Sequence, residues 1–142
     1  MTGFTVSADR TAMDVAVIHR YLSEVSYWAR GVSLETVTRS LDHSLCFGGF
    51  ADGAQVAFAR VVTDRATFAY LCDVFVLDDH RGKGYSKALM AAIMAHAELQ
   101  GLRRFYLATL DAHSLYAPFG FKPLAHPERV MEISNQVISI RV

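Results

Sequence analysis

The sequence has little cysteine, no metal-binding spacing and no surplus of charge. Two cysteines, Cys46 and Cys72, are too few for a disulfide scaffold. Each lies in an apolar run of strand character. As strands one and three of a meander, those runs would sit roughly 9–10 Å apart, beyond disulfide reach. Buried, reduced thiols fit a cytoplasmic protein. None of the six histidines is followed by another within three to five positions, and there is no Cys-x-x-Cys, so no metal is expected. Fourteen basic residues balance fourteen acidic ones, which argues against a general nucleic-acid binder. No apolar run approaches ~18 residues. The N-terminus lacks a basic start followed by a long apolar stretch, so neither a membrane span nor a signal peptide is expected.

What is present is a chain of 142 residues, 52% hydrophobic and 20% charged, long enough for a substantial core. One domain over residues 1–142 is expected. Residues 4–7 alternate as a short strand. Thr11-x-x-Asp14 matches a helix-start pattern, and Met13, Val17, Ile18, Tyr21 and Leu22 then recur at helical spacing to about Ser23. Residues 26–31 read as a loop with large aromatics. Ser33 caps a second helix with Leu34, Val37 and Leu41 on its apolar face. From residue 45 the period becomes two: strands at 45–51 and 55–62 flank the turn Asp52-Gly53, and a third runs over 67–77. Strict alternation puts Val56, Phe58, Arg60 and Val62 on one face. It likewise groups Leu71, Asp73, Phe75 and Leu77. A helix follows over 84–100, buried through Leu89, Met90, Ile93, Met94 and Ala97 and stopped by Gly101. A strand is expected at 105–108 and a short helix from Asp111, its cap, to Ala117. Further strands are expected at 122–124, 130–134 and in the alternating tail 137–142. Three hairpin-linked strands want an antiparallel meander, and the next helix demands a crossover to a parallel neighbour. The fold class is therefore α+β: a mixed, mostly antiparallel sheet flanked by helices, with one parallel strand pair.

The densest chemical signal is Arg81-Gly82-Lys83-Gly84-Tyr85-Ser86, between the third meander strand and the long helix. Glycines let the backbone approach an anion, helix N–H groups point at it, and Arg81, Lys83 and Lys87 add positive charge. It is not a Walker loop, because Leu77 stands at the first glycine position. It is not a dinucleotide fingerprint, because Lys87 stands at the third. Downstream lies Ala112-x-x-Leu115-Tyr116-x-x-x-Gly120-Phe121.

Taken together, Arg81-x-x-Gly84-x-Ser86 and this second block resemble the two motifs of the GCN5-related N-acetyltransferase (GNAT) superfamily. The order of elements is similar to that fold over residues 3–134. The resemblance implies acetyl-CoA as cosubstrate, held where the two parallel strands splay. Its pantetheine would pair with Val74, Phe75 and Val76, and its pyrophosphate would sit on the loop from Arg81 to Ser86. Tyr116 would face the coenzyme sulfur and protonate the leaving thiolate, a sensible task for a phenol at neutral pH. Ser86 replaces the usual Gly or Ala. Thr109 stands where many members carry asparagine, the position of a pantetheine contact.

The attacking amine must lose a proton, to a side-chain base or along a water path. Asp73 is the first candidate base, since a carboxylate taken out of water becomes a better base; its alternative is a structural pairing with Arg60. His113 is the second. Tyr27 and Trp28 lie where acceptor-binding loops occur in this fold, and an aromatic pair can close over a cation or a ring. The expectation is acetyl transfer to a primary amine of a small molecule in a ternary complex. The alternatives are a protein amine as acceptor, or a CoA-binding regulatory module. An exposed C-terminal strand would suit a homodimer.

Overall fold

The computed structural model describes residues 3–135. Five strands form one sheet in the order β1-β2-β3-β4-β5: β1 Phe4–Ser7, β2 Leu45–Ala51, β3 Ala54–Thr63, β4 Phe68–Val76 and β5 Arg104–Leu107. The first four are antiparallel; β4 and β5 are parallel. The turn between β2 and β3 is tight because Asp52 and Gly53 both take positive φ, 52° and 80°, matching the right-handed twist of the hairpin. At the next turn, Asp64 accepts from the Thr67 hydroxyl and from the amides of Thr67, Ala66 and Phe68, which hold its carboxyl below the usual range.

Helices cover both faces. α1 (Val15–Arg20) and α2 (Leu34–Asp42) bury Ile18, Val37 and Leu41 against Cys46, Phe58 and Phe75. On the other face, α3 (Tyr85–Ala95) sets Leu89, Met90 and Ile93 on Phe47, Ala57, Ala59, Val61 and Leu71. β2 passes between them with two glycines, one of which is forced. A Cβ on Gly49 would stand 2.6 Å from the Phe4 ring and 2.9 Å from the Ala57 methyl. No helix among the described residues is long and apolar enough to cross a membrane.

The structure departs from strict alternation at two bulges. In β2–β3 the register shifts between Gly49 and Phe50, so Val56 is extra and joins the α3 face while Phe58 faces α1. In β3–β4 it shifts between Phe58 and Arg60, whose partners are Phe75 and Cys72. Leu71 therefore packs under α3 while Phe75, four residues on, packs under α1. An unbroken strand would put both on one face; the extra residue turns the second half over.

Local signals were also overridden at helix ends. Asp9, not Thr11, caps a short turn at Arg10–Ala12, and Asp14 caps α1 by accepting from Val17 N–H. Ser33 caps α2 as expected. α3 stops at Ala95, five residues early. His96 becomes extended, its Nδ1 accepts from Glu98 N–H, and Leu99 enters the core through the turn Ala97–Leu99. Gln100 closes the break by donating to the carbonyls of Met94 and His96. Residues 122–124 and 130–134 are not strands. Pro123 and Pro127 each remove a ladder donor, the latter opening a short turn at Pro127–Arg129, and Met131 and Ile133 point into solvent. The alternating tail, 137–142, lies outside the described residues, and so does the dimer contact expected of it.

Candidate active site

β4 and β5 pair only from Phe68 to Leu71, against Arg104 to Leu107. β4 then runs on to Val76 while the chain after β5 turns away, and a wedge opens between them. Which backbone groups face the wedge follows from one bond. Leu77 N–H donates to Val56 O across β3 (2.9 Å). By alternation the peptide groups of Phe75 face β3 and those of Val74 and Val76 face the wedge. Arg81 Nε donates to the Val76 carbonyl (3.2 Å), which agrees.

The loop after β4 ends in an open helix start. Gly82 and Gly84 have φ of 77° and 79°, a backbone that other L residues adopt only at a cost of about 1–2 kcal/mol. Gly84 is the N-cap of α3, and no side chain caps it. The first amides of α3 therefore converge on the wedge with the positive end of the helix dipole behind them. Tyr85 is buried and stacks on Phe4 (3.9 Å between centroids), so the helix start is pinned to β1.

One cavity of about 550 Å³ joins these parts. Val74, Phe75, Val76, Arg81, Gly82, Gly84, Tyr85 and Ser86 line it, with Tyr116 from α4 (His113–Tyr116) and with Tyr27 and Trp28 from the first loop. Lys83 and Lys87 are exposed and stand outside it. Arg81 lines the cavity, but its guanidinium is held by Asp78 (3.2 Å) and donates to the Tyr21 hydroxyl (3.0 Å). Thr109 lies outside as well: its Oγ1 accepts from Ala112 N–H (2.9 Å) in the turn before α4. Asp111 is not the cap it was expected to be; α4 follows Ala112 with no side-chain cap, and Asp111 stands exposed on the cavity wall.

Tyr116 is buried, and burial together with the neighbouring Tyr27 raises its hydroxyl above the ordinary tyrosine range. It remains a proton donor well into the alkaline range. Burial also pushes the thiols of Cys46 and Cys72 up to about 11 and about 12, so neither is a thiolate nucleophile near neutral pH. His113 faces another groove, of about 1150 Å³, along β5 and residues 119–132. That groove is larger but contains none of the glycine loop and none of the free β4 edge.

Asp73 does not line the cavity. It sits at the bulge of β4 with φ of 56°. Its Oδ2 accepts from Arg60 Nε (2.9 Å) and its Oδ1 from Trp28 Nε1 (2.8 Å). Arg60 also donates to Ser44 Oγ (3.0 Å). Burial alone would lower the Arg60 pKa, but the neighbouring Cys72 and Asp73 outweigh it.

The residues that periodicity missed are in the turn before Tyr27. Here α1 widens into a π-helical turn at Tyr21–Val25, closed by Ser26 N–H on Tyr21 O (2.9 Å). Such turns mark functional sites often. Buried Ser26 donates to Leu22 O and accepts from Ala29 N–H, which fixes the loop. Tyr21 stacks on Phe75 (4.0 Å) and lines the cavity with its ring. A tyrosine on an otherwise apolar helix stripe was the available signal.

Comparison with known proteins agrees with this geometry. The profile of the Acetyltransferase (GNAT) family matches residues 15–121. The chain belongs to the GNAT family of acetyltransferases. It is similar to a crystal structure from Xanthomonas campestris pv. campestris described as a "putative acetyltransferase belonging to the gnat family", with 60% identity, a TM-score of 0.92 and 94% of each chain covered. It is 29% identical to the Gibberella zeae protein named "Putative acetyltransferase FG08082", over 80% of this chain and 75% of that one. A Clostridium acetobutylicum "predicted acetyltransferase with acetyl-CoA" shares the fold at 13% identity, with a TM-score of 0.65 over 94% of this chain and 96% of that one.

Proposed function

We propose that the chain is a single N-acetyltransferase domain that moves an acetyl group from acetyl-CoA directly to a primary amine of a small molecule. One observation carries the reading. The free β4 edge, the uncapped start of α3 with its two left-handed glycines, and a buried tyrosine hydroxyl line the same cavity. The family match supports it, and the Clostridium relative of the same fold was solved with acetyl-CoA.

The site fits such a cosubstrate. The loop offers backbone amides to a pyrophosphate, chiefly from Gly82 to Ser86. Lys83 and Lys87 at the rim add a diffuse positive field rather than contacts. The wedge-facing groups of Val74 and Val76 suit an amide-bearing arm. The N–H of Val74 or Val76, rather than that of Phe75, then polarises the thioester carbonyl. As the amine nitrogen bonds to the carbonyl carbon it loses its proton to water in the cleft, the C–S bond breaks, and Tyr116 gives its proton to the departing sulfur. Holding both reactants in one cleft supplies much of the acceleration.

The acceptor enters from the Tyr21–Trp28 side. The small-molecule reading rests on a neutral chain and a short aromatic loop rather than a long charged groove. The high-pKa free thiols of buried Cys46 and half-buried Cys72 suit a reducing compartment such as the cytoplasm. The test is a panel of primary amines mixed with acetyl-CoA, following release of free thiol. Acceleration by at least one amine, lost in Tyr116→Phe, is expected. Tight acetyl-CoA binding with no acceleration by any amine would favour the regulatory module instead.

A further inference from the structure

Asp73, a part-buried carboxylate beside the wedge, has both its oxygens engaged. Asp73 reaches Arg60 and Trp28 at 2.9 Å and 2.8 Å, its side chain is 11% exposed, and it stands outside the cavity. A general base must come within hydrogen-bond reach of the proton it removes. Here the indole occupies that approach. The backbone is also committed, because a left-handed residue at a bulge is where β4 turns over.

What the carboxylate holds is a wall. Trp28 meets Tyr27 edge-on (5.1 Å) and Tyr21 at a tilt (6.5 Å), and Tyr21 stacks on Phe75 (4.0 Å). With Tyr116 opposite, five aromatic rings line the acceptor half of the cavity. The charged groups there are few. Arg81 is paired with Asp78, and Asp111 is exposed at the edge. A multiply charged acceptor would leave most of its charges unanswered on such a wall, whereas an apolar or aryl skeleton is covered and its single ammonium is attracted by the ring faces.

We infer that Asp73 is a positioning residue that anchors Trp28, and that the anchored indole selects a primary amine carried on a compact apolar or aryl skeleton. The inference deepens the acetyltransferase reading and rests on it for the chemistry, but the anchor itself can be tested without any cosubstrate. Trp28 is the only tryptophan of the chain, so its fluorescence reports the anchor alone.

The experiment compares native protein with Asp73→Leu, Asp73→Asn and Trp28→Phe, each checked for folding by circular dichroism. In Asp73→Leu, emission should shift to longer wavelength and acrylamide quenching should rise about twofold or more. Asp73→Asn keeps an oxygen for the indole N–H and should restore most of the native signal. If Asp73→Leu fails to fold, the Asn variant against Trp28→Phe carries the test. Native-like emission in every folded Asp73 variant would overturn the anchor.

The second arm uses 2-phenylethylamine and spermidine as probes, by fluorescence titration of native protein with CoA present and by thiol release with acetyl-CoA. Saturable binding of 2-phenylethylamine and none of spermidine is expected; the reverse would overturn the amine class. Asp73→Leu and Trp28→Phe should raise the KM for 2-phenylethylamine about tenfold, with a smaller effect on kcat. A loss of about 10²-fold or more in kcat for Asp73→Asn, with native emission, would make Asp73 the base. Binding of 2-phenylethylamine and a working anchor without any thiol release would instead indict the acetyltransferase reading and leave the anchor standing.

Discussion

The two halves of the cavity are built by different means. The half proposed for the cosubstrate is backbone: the open edge of β4, two glycines at positive φ and an uncapped helix start, all within residues 74–87. The half proposed for the acceptor is side chain: Tyr21, Tyr27 and Trp28 from one end of the chain, Phe75 from β4 and Tyr116 from α4. Behind it stands a pair, Arg60 and Asp73, joined across the bulge. A backbone site depends on local conformation and tolerates change in its surface charges. A side-chain site depends on distant partners, so a single loss is transmitted.

Removing Arg60 tests that difference most severely. Arg60→Met leaves Asp73 buried without its cation, and urea unfolding should show a loss of about 3–5 kcal/mol. Acetyl-CoA affinity of the folded fraction, by calorimetry, should change far less. A large loss of affinity with little loss of stability would break the contrast.

Tyr116→Phe touches the point where the halves meet. Thiol-release assays should show kcat reduced about 10²-fold, in the usual range for a lost general acid, with acetyl-CoA binding retained. Next in size comes Gly84→Ala, which forces a Cβ into the left-handed region at about 1–2 kcal/mol. It should weaken acetyl-CoA binding about tenfold and leave Trp28 emission unchanged.

The smallest effect crosses between the halves. In the proposed acid role Tyr116 must be protonated, and its pKa is raised by burial first and by Tyr27 second. Activity therefore holds through neutral pH and falls only as pH rises through that raised value. Tyr27→Phe removes one of the influences that raise it, so the alkaline limb of the rate profile should move to lower pH. A limb that moves up, or one that survives in Tyr116→Phe, would remove Tyr116 from the acid role.

How much of this was legible follows the same division. The glycine loop, the block around Tyr116 and the run Val74 to Val76 could be placed together from sequence because their short local motifs carry the family resemblance, and that resemblance implied a shared site. Lys83, Lys87 and Thr109 were assigned with them, but charge and position in a motif do not say where a side chain points. Lys83 and Lys87 are turned to solvent, and Thr109 holds the turn before α4. Asp73 was singled out because a carboxylate in an apolar strand is conspicuous. Its neighbour Trp28, 45 positions away, was not connected to it.

The sequence by itself determined the order of elements from β1 to α4, the antiparallel meander with its parallel addition and the glycine turn after β4. Those depend on periodicity and on glycine, and both are written locally. The tertiary structure alone decided which face Phe75 shows, where α3 stops and what Asp73 holds. Two bulges reverse side-chain parity within strands, and a bulge is set by register with a neighbouring strand rather than by the residues it contains. The acceptor half of the cavity exists only once that register has brought Trp28, Arg60 and Asp73 within hydrogen-bond distance.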